Sequence, residues 1–289
     1  MCLLSDQINS GSLTIVGSGI QAVRQFTLES KQAVEQADKV LYLVSDPVSE
    51  IWVKKINPKS ESLMNYYVGG KYRPDIYKEI TQSILEYVRE GLNVCLVLYG
   101  HPGVFAHNIS HESINQARNE GFNAHMLPGI SSEDCLFADL GIDPGTHGCQ
   151  SFEATDFLLT RRKFDTTCHL ILWQIGTVGD STFNPGRDNR PSLRVLVDFL
   201  ETYYRPDHEV FIYEASEYAI CKPIIQHLAL SNLVESAYID YGSTLYIPPK
   251  IKTHPKIDRK MVHRLKGSNL KLVDIHFSIK KLFHLTSNK

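Results

Sequence analysis

The chain reads as an α/β protein. Apolar runs of strand length alternate with segments of helical spacing, and several of those runs end in glycine-containing turns. No apolar run approaches the length that spans a bilayer. Leu13–Val16 is a strand entering Gly17-Ser18-Gly19, followed by a helical stretch over Leu28–Ala37 and a strand over Lys39–Val44 that stops near Asp46-Pro47. Tyr77–Glu90 carries Ile80, Ile84, Leu85 and Val88 at helical spacing, and Gly91 ends it. Asn93–Leu98 predicts a buried strand running into Tyr99-Gly100-His101-Pro102-Gly103. Two glycines and a proline in succession force a tight turn where main chain can approach a ligand, and open α/β sheets bind ligands at such strand ends.

His111–Asn119 is helical and stops at Glu120-Gly121; Ala124–Leu127 is a short strand leading into Pro128-Gly-Ile-Ser-Ser-Glu-Asp134. That stretch offers Ser131 or Ser132 as a helix N-cap with acids in the first turn. Gly141-Ile-Asp-Pro-Gly145 closes the helix. The second half supplies strands at His169–Trp173, Val210–Tyr213 and Ser243–Ile247, with a helix at Ser192–Tyr203. The expected division is an extension at 1–10, an α/β domain at 11–124, a second at 125–249, and a basic tail at 250–289.

With 289 residues, 43% hydrophobic and 21% charged, the chain can bury a sizeable core. The N-terminus lacks a basic-then-apolar signal pattern. Six scattered cysteines without a Cys-x-x-Cys pair point to reduced thiols in a cytoplasmic protein. The net charge of −2 is unevenly spread. Residues 250–289 hold 11 Lys/Arg against two acids, and residues 1–249 hold 19 against 30. The tail also carries Ile275, Phe277, Ile279, Leu282 and Phe283, which favours docking on protein over nucleic acid.

Gly17-Ser-Gly19-Ile-Gln-Ala22 fits a dinucleotide fingerprint, with Asp46 available for a ribose. Against a nicotinamide or flavin enzyme stand two further glycine-containing strand ends, Tyr99–Gly103 and Pro128–Ser132, which a single Rossmann unit does not explain. His107 and His111 stand four apart, but with no third ligand they read as surface or capping residues, and no metal is expected. Neither a Gly-x-Ser-x-Gly elbow nor a Walker loop is present. In Tyr66-Tyr67-Val-Gly-Gly-Lys71-Tyr72-Arg73-Pro74-Asp75-Ile76-Tyr77, Arg73 and Tyr77 lie four apart at a helix start and share a face. The Gly-Gly turn can return Tyr67 toward them; the alternative is an aromatic loop packing on a neighbour.

Together, Gly17-Ser-Gly19, Tyr99-Gly-His-Pro-Gly103, Leu127-Pro-Gly-Ile-Ser131 and Leu140-Gly-Ile-Asp-Pro144 resemble the tetrapyrrole methylase superfamily over residues 11–249. The resemblance implies two α/β domains with S-adenosylmethionine in the cleft between them. After Gly19 this chain continues Ile20-Gln-Ala-Val-Arg-Gln, a departure from the Pro-Gly-Asp-Pro run of precorrin-type members. Phe152-Glu-Ala-Thr155, Trp173-Gln-Ile-Gly176, Asp207-His208, Ser243-Thr-Leu-Tyr-Ile-Pro-Pro249 and the Tyr67, Arg73, Tyr77 spacing resemble the borosin peptide α-N-methyltransferases.

That finer resemblance implies iterative methylation of backbone amides of a ribosomally made peptide, with Tyr67, Arg73, Tyr77 and Tyr99 as catalytic residues. It also implies a cofactor lined by Tyr99, His101, Val104, Phe105, Ser131, Ser132, Gln174, Tyr213, Ser243 and Thr244, and a homodimer, with a 2:2 complex once the precursor is bound. The basic tail lacks an apolar core peptide, so the expected precursor is a separate protein acting in trans. The alternatives are a precorrin-type C-methyltransferase and a non-catalytic peptide-binding module of the same fold. Arg73 with Tyr67 or Tyr77 is expected to stabilise the amide oxygen, while a tyrosinate or a tyrosine-held water takes the proton. Arg73 is expected to lower a neighbouring tyrosine's pKa toward neutrality.

Overall fold

A computed structural model describes residues 10–104, 107–250 and 258–265. The chain to Pro249 is one compact unit, and the residues from Lys250 form a second, in which a short helix spans Arg259–Arg264. Among the described residues no helix is long and apolar enough to cross a membrane.

The first half of the large unit is a parallel sheet. In chain order it runs β1 (Ser12–Gly17), α1 (Leu28–Gln36), β2 (Lys39–Leu43), α2 (Pro47–Ile56), β3 (Ser60–Ser62), α3 (Arg73–Arg89), β4 (Asn93–Leu98), α4 (Glu112–Asn119) and β5 (Asn123–Met126). The strands lie in the order β3-β2-β4-β1-β5, every pair parallel. β4 shows why its sequence reads as an unbroken apolar run. Val94, Leu96 and Leu98 pack toward Ile76, Ile80 and Ile84 of α3, while Cys95 and Val97 pack toward Val34 of α1 and Val53 of α2. A strand covered on both faces needs no polar alternation.

The second half is mixed. It comprises α5 (Ser132–Leu140), α6 (Pro144–His147), β6 (Cys149–Glu153), α7 (Ala154–Leu159), β7 (His169–Trp173), α8 (Arg190–Glu201), β8 (Glu209–Glu214), β9 (Ile224–Ala229) and β10 (Thr244–Ile247). The order is β6-β7-β10-β8-β9, with β6 parallel to β7 and the other pairs antiparallel. Leu170 and Leu172 of β7 meet Leu193, Leu196 and Leu200 of α8 on one face. Ile171 and Trp173 meet Leu136 of α5, with Tyr213 and Tyr246, on the other.

The expected strands and helices are present within a few residues of their expected ends. Those not anticipated in the large unit are the edge strands β3, β6 and β9, whose side chains are largely half-exposed or exposed, and helices α2, α6 and α7. Asp46-Pro47 proves to be a helix start rather than only a strand end: the Asp46 carboxylate accepts from the Val48 and Ser49 N–H groups at 2.9 Å.

Candidate functional site

Three glycine loops meet at the C-terminal ends of β1, β4 and β5. The Ser18 N–H donates to the Leu98 carbonyl at 2.8 Å, and Gly19 and Gly100 exchange main-chain bonds of 3.3 and 3.0 Å. Gly100 has φ +72°, a conformation glycine adopts without a Cβ penalty. A Cβ at Gly17 would lie 2.1 Å from the Gly100 carbonyl oxygen, and one at Gly129 would lie 3.0 Å from that same oxygen. Gly17 and Gly129 therefore pack main chain on main chain against Gly100; at Gly17 only glycine fits, and at Gly100 the positive φ favours it.

This packing overturns the dinucleotide fingerprint. A pyrophosphate needs free N–H groups at a helix N-terminus. Here the five consecutive N–H groups from Ser18 to Ala22 donate to Leu98, Gly100, the Gln25 side chain (twice) and Glu217. The next helix, α1, begins only at Leu28, and Asp46 is spent capping α2. Of the two spaced histidines, His111 donates Nε2–H to the Gly103 carbonyl at 3.3 Å, a local tie to the glycine loop.

The residues expected at the cofactor take varied places. Tyr99 follows β4 with its N–H on the Leu43 carbonyl (2.9 Å) and keeps 38% of its surface open. Its phenol is nonetheless pushed well above the usual range, first by removal of the hydroxyl from solvent, then by Glu217, Cys135, Glu214 and Asp46. His101 Nδ1 accepts from the Gly103 N–H at 2.9 Å, and Val104 is exposed at the end of the same loop. Phe105 lies outside the described residues. Ser131 is the N-cap of α5 in a capping box with Asp134, and Ser132 opens the helix. Gln174 has φ +56°, a left-handed conformation costly for a non-glycine residue. Tyr213 is fully buried and donates its hydroxyl to Asp139 at 2.7 Å. Ser243 is fully buried, its hydroxyl accepting from the Asp240 N–H at 2.9 Å, and Thr244 begins β10 opposite Tyr213.

The segment 66–77 is clasped by main chain from the other half of the unit. The Gly70 N–H donates to the Phe183 carbonyl (2.8 Å), Phe183 returns a bond to the Lys71 carbonyl (2.9 Å), and the Arg73 N–H donates to Ser181 (2.9 Å). One guanidinium nitrogen of Arg73 also donates to the Asp180 carbonyl. Asp180 is itself fixed: burial pushes its carboxyl up, but bonds from Thr182 and the Arg187 partner hold it below its ordinary value.

This clasp brings Tyr67, Arg73 and Tyr77 together, as their spacing predicts. Tyr67 packs edge-on against Phe183 with ring centres 5.2 Å apart, and Phe183 packs edge-on against Tyr241 at 5.9 Å. Burial raises the pKa of Tyr67, Tyr77 and Tyr241 add to that, and Arg73 opposes it. Tyr77 is raised by burial and by Tyr241, against the Arg73 guanidinium beside it. The expectation that Arg73 brings a tyrosine toward neutrality is thus right in sign for Arg73 and wrong in outcome. Burial wins, and both phenols stay protonated at neutral pH. Asp180, Phe183 and Tyr241 escaped the sequence reading. The Asp240-Tyr-Gly-Ser stretch signals a turn, but nothing in it says that the turn faces residue 67.

With this geometry established, the comparisons with known proteins place the chain. The family model for tetrapyrrole (corrin/porphyrin) methylases matches residues 12–216, and the chain belongs to that family. It is 45% identical over 257 residues to the methyltransferase/ribosomally synthesized cyclic peptide gymnopeptides precursor of Gymnopus fusipes, covering 88% of this chain and 61% of that protein. It is 42% identical over 258 residues to the corresponding omphalotin A precursor of Omphalotus olearius, covering 88% and 61%. A type II borosin cyclic peptide precursor of Phlebiopsis gigantea is 40% identical over 274 residues, covering 93% and 48%. The chain thus spans about six-tenths or less of the length of these relatives. Among solved structures, uroporphyrin-III-C-methyltransferase from Thermus thermophilus matches with TM-score 0.59 at 16% identity over 83% of this chain and 93% of that one. A cobalt precorrin-4 methyltransferase matches with TM-score 0.58 at 17% identity, over 85% and 98%. These two show the fold.

Proposed function

We propose that this chain is an S-adenosylmethionine-dependent methyltransferase that iteratively N-methylates backbone amides of a ribosomally made peptide. The observation that carries this proposal is the convergence of Tyr67, Arg73 and Tyr77 into one half-buried cluster. The printed names of the relatives, each a methyltransferase joined to a cyclic peptide precursor, support it.

An amide nitrogen is a poor nucleophile because its lone pair is delocalised into the carbonyl. Donors aimed at the carbonyl oxygen favour the imidate form and make the N–H easier to remove. Arg73, held by the Asp180 carbonyl, and the protonated hydroxyls of Tyr67 and Tyr77 are such donors. With both phenols protonated, the proton leaves to a water held among them rather than to a tyrosinate.

The cofactor supplies an electrophilic methyl on a sulfonium. The three glycine loops meet at strand C-terminal ends, where open α/β sheets take their ligands, and this supports placing the group there. Tyr99, His101 and Val104 of the β4 loop, Ser131 and Ser132 at α5, strained Gln174, and the Ser243-Thr244 strand start would hold it. Tyr213 braces Asp139 beneath. The same reading puts the protein in the cytoplasm, supported by the scattered cysteines of the sequence, which form no Cys-x-x-Cys pair. A homodimer, 2:2 with bound precursor, accords with the exposed apolar Met64 and Val68 flanking the acceptor residues.

The relatives carry their precursor in the same chain, whereas the basic tail led to the expectation of a separate one. The test therefore supplies a short peptide rich in small and branched apolar residues in trans with methyl-labelled S-adenosylmethionine. Mass should rise in steps of one methyl, and fragmentation should place each on a backbone nitrogen. Methyls on side chains, or turnover of a macrocyclic tetrapyrrole in place of the peptide, would sink the proposal.

A further inference from the structure

The acceptor cluster has an aromatic neighbour that no spacing argument found. Tyr241 sits on the turn between β9 and β10, about 170 positions along the chain from Tyr67. That turn is tightly held. The Asp240 carboxylate accepts from the Gly242 N–H at 3.0 Å, and the Ser243 hydroxyl accepts from the Asp240 N–H at 2.9 Å. The Ser243 carbonyl accepts from the Ile175 N–H at 3.0 Å. Gly176 lies so close that a Cβ there would come within 1.7 Å of the Asp240 carbonyl oxygen. A turn locked by side chains on itself and by bare main chain beside it has little freedom to swing. Its tyrosine ring packs edge-on with Phe183, which in turn packs edge-on with Tyr67, so three rings form a continuous wall.

We propose that Tyr241 is a positioning residue of the acceptor site, forming with Phe183 the wall that holds the substrate peptide against Tyr67 and Tyr77. This rests on the peptide-methylation reading above. Its logic is mechanical. The turn that presents Tyr241 to the acceptor cluster continues directly into Ser243 and Thr244, on the expected donor side. One rigid element then fixes the distance between the amide nitrogen and the methyl donor, and such placement carries much of the rate of an in-line transfer. The groups facing Tyr67 are Tyr77, Tyr241 and Arg73; those facing Tyr77 are Arg73 and Tyr241.

The experiment compares Tyr241→Phe and Tyr241→Ala with the parent chain, using the same peptide of small and branched apolar residues and labelled S-adenosylmethionine. Thermal melting and cofactor affinity serve as folding controls. Tyr241→Ala should raise KM for the peptide about tenfold, the order expected for one lost aromatic contact, with unchanged cofactor affinity. Tyr241→Phe keeps the ring and should keep KM close to that of the parent. A merely structural role would lower thermal stability and cofactor affinity together and would not raise KM for the peptide selectively. In a second measurement, a benzophenone amino acid at position 241 should photo-cross-link to the same peptide. If the parent methylates the peptide but both variants match it and no cross-link forms, the Tyr241 assignment is overturned while the function stands. If cross-linking occurs without any methyl transfer, the peptide site stands and the reaction assignment falls. If neither occurs, both are overturned.

Discussion

The glycine junction and the aromatic cluster are built in opposite ways. At Gly17, Gly100 and Gly129 the structure removes side chains so that three loops touch through their backbones. At Tyr67, Arg73, Tyr77, Phe183 and Tyr241 it gathers large side chains from separate segments, and the backbone serves only as a clasp. The first admits no side chain at Gly17 and says little about substrate. The second is built of side chains that can change without rebuilding the backbone. Under the proposed function the first region is the donor side and the second the acceptor side, so one fold can keep its donor while its acceptor changes.

The largest effect that sharpens this contrast is at Arg73. Arg73→Ala should lower kcat about 100- to 1,000-fold, as expected when an oxyanion donor is lost, with cofactor affinity nearly unchanged. Equal loss of cofactor affinity, measured by calorimetry, would show that the two regions are not separable. Next is Gly17→Ala, where backbone meets backbone and nothing can rotate away. It should cost about 3 kcal/mol of stability, seen in urea unfolding, and reduce cofactor binding with it. A variant as stable as the parent would break the account of the junction.

A pH effect separates folding from catalysis. His169 is buried in the second sheet, with Nδ1 2.7 Å from the Tyr246 hydroxyl. Burial, helped by His147 and opposed by Asp143, lowers its pKa to about 4. The unfolded chain, titrating near the ordinary histidine value of about 6.5, then binds the proton more readily than the folded one. Stability is therefore full above that value and falls as pH drops toward 4, by no more than about 3 kcal/mol. Urea unfolding at neutral pH and at about pH 5 should show the loss, and His169→Gln should flatten it. Transfer by the Tyr67 and Tyr77 cluster should show no matching inflection in that window.

The smallest effect is at Ser131. Its hydroxyl and Asp134 form a capping box, so Ser131→Ala should cost about 1 kcal/mol in thermal or urea unfolding. Because Ser131 is also proposed to hold the cofactor, affinity should fall beyond that destabilisation, and unchanged affinity would remove Ser131 from the cofactor wall.

Much of this was legible in the chain itself. β4 was readable because burial on both faces leaves a continuous apolar run, and α3 because Ile80, Ile84, Leu85 and Val88 recur at helical spacing. The loops at Gly17 and Gly100 were readable because close main-chain contact at the first and a positive φ at the second both call for glycine. Edge strands β6 and β9 were not, because a half-solvated strand mixes polar and apolar residues without a strong period. The fingerprint at Gly17 misled for a related reason: a sequence pattern cannot report that Gln25 and Glu217 have already taken its donors.

The amino-acid sequence alone determined the α/β class, the glycine turns and the four-residue placement of Arg73 and Tyr77 on one helix face, because each depends on neighbours within a turn or two of chain. Only the tertiary structure decided that segment 180–183 clasps the acceptor loop and that Tyr241 joins it. It also decided that burial outweighs Arg73 in setting the state of the tyrosines. Those outcomes depend on how much solvent is left between segments far apart in the chain, and local sequence does not encode that distance.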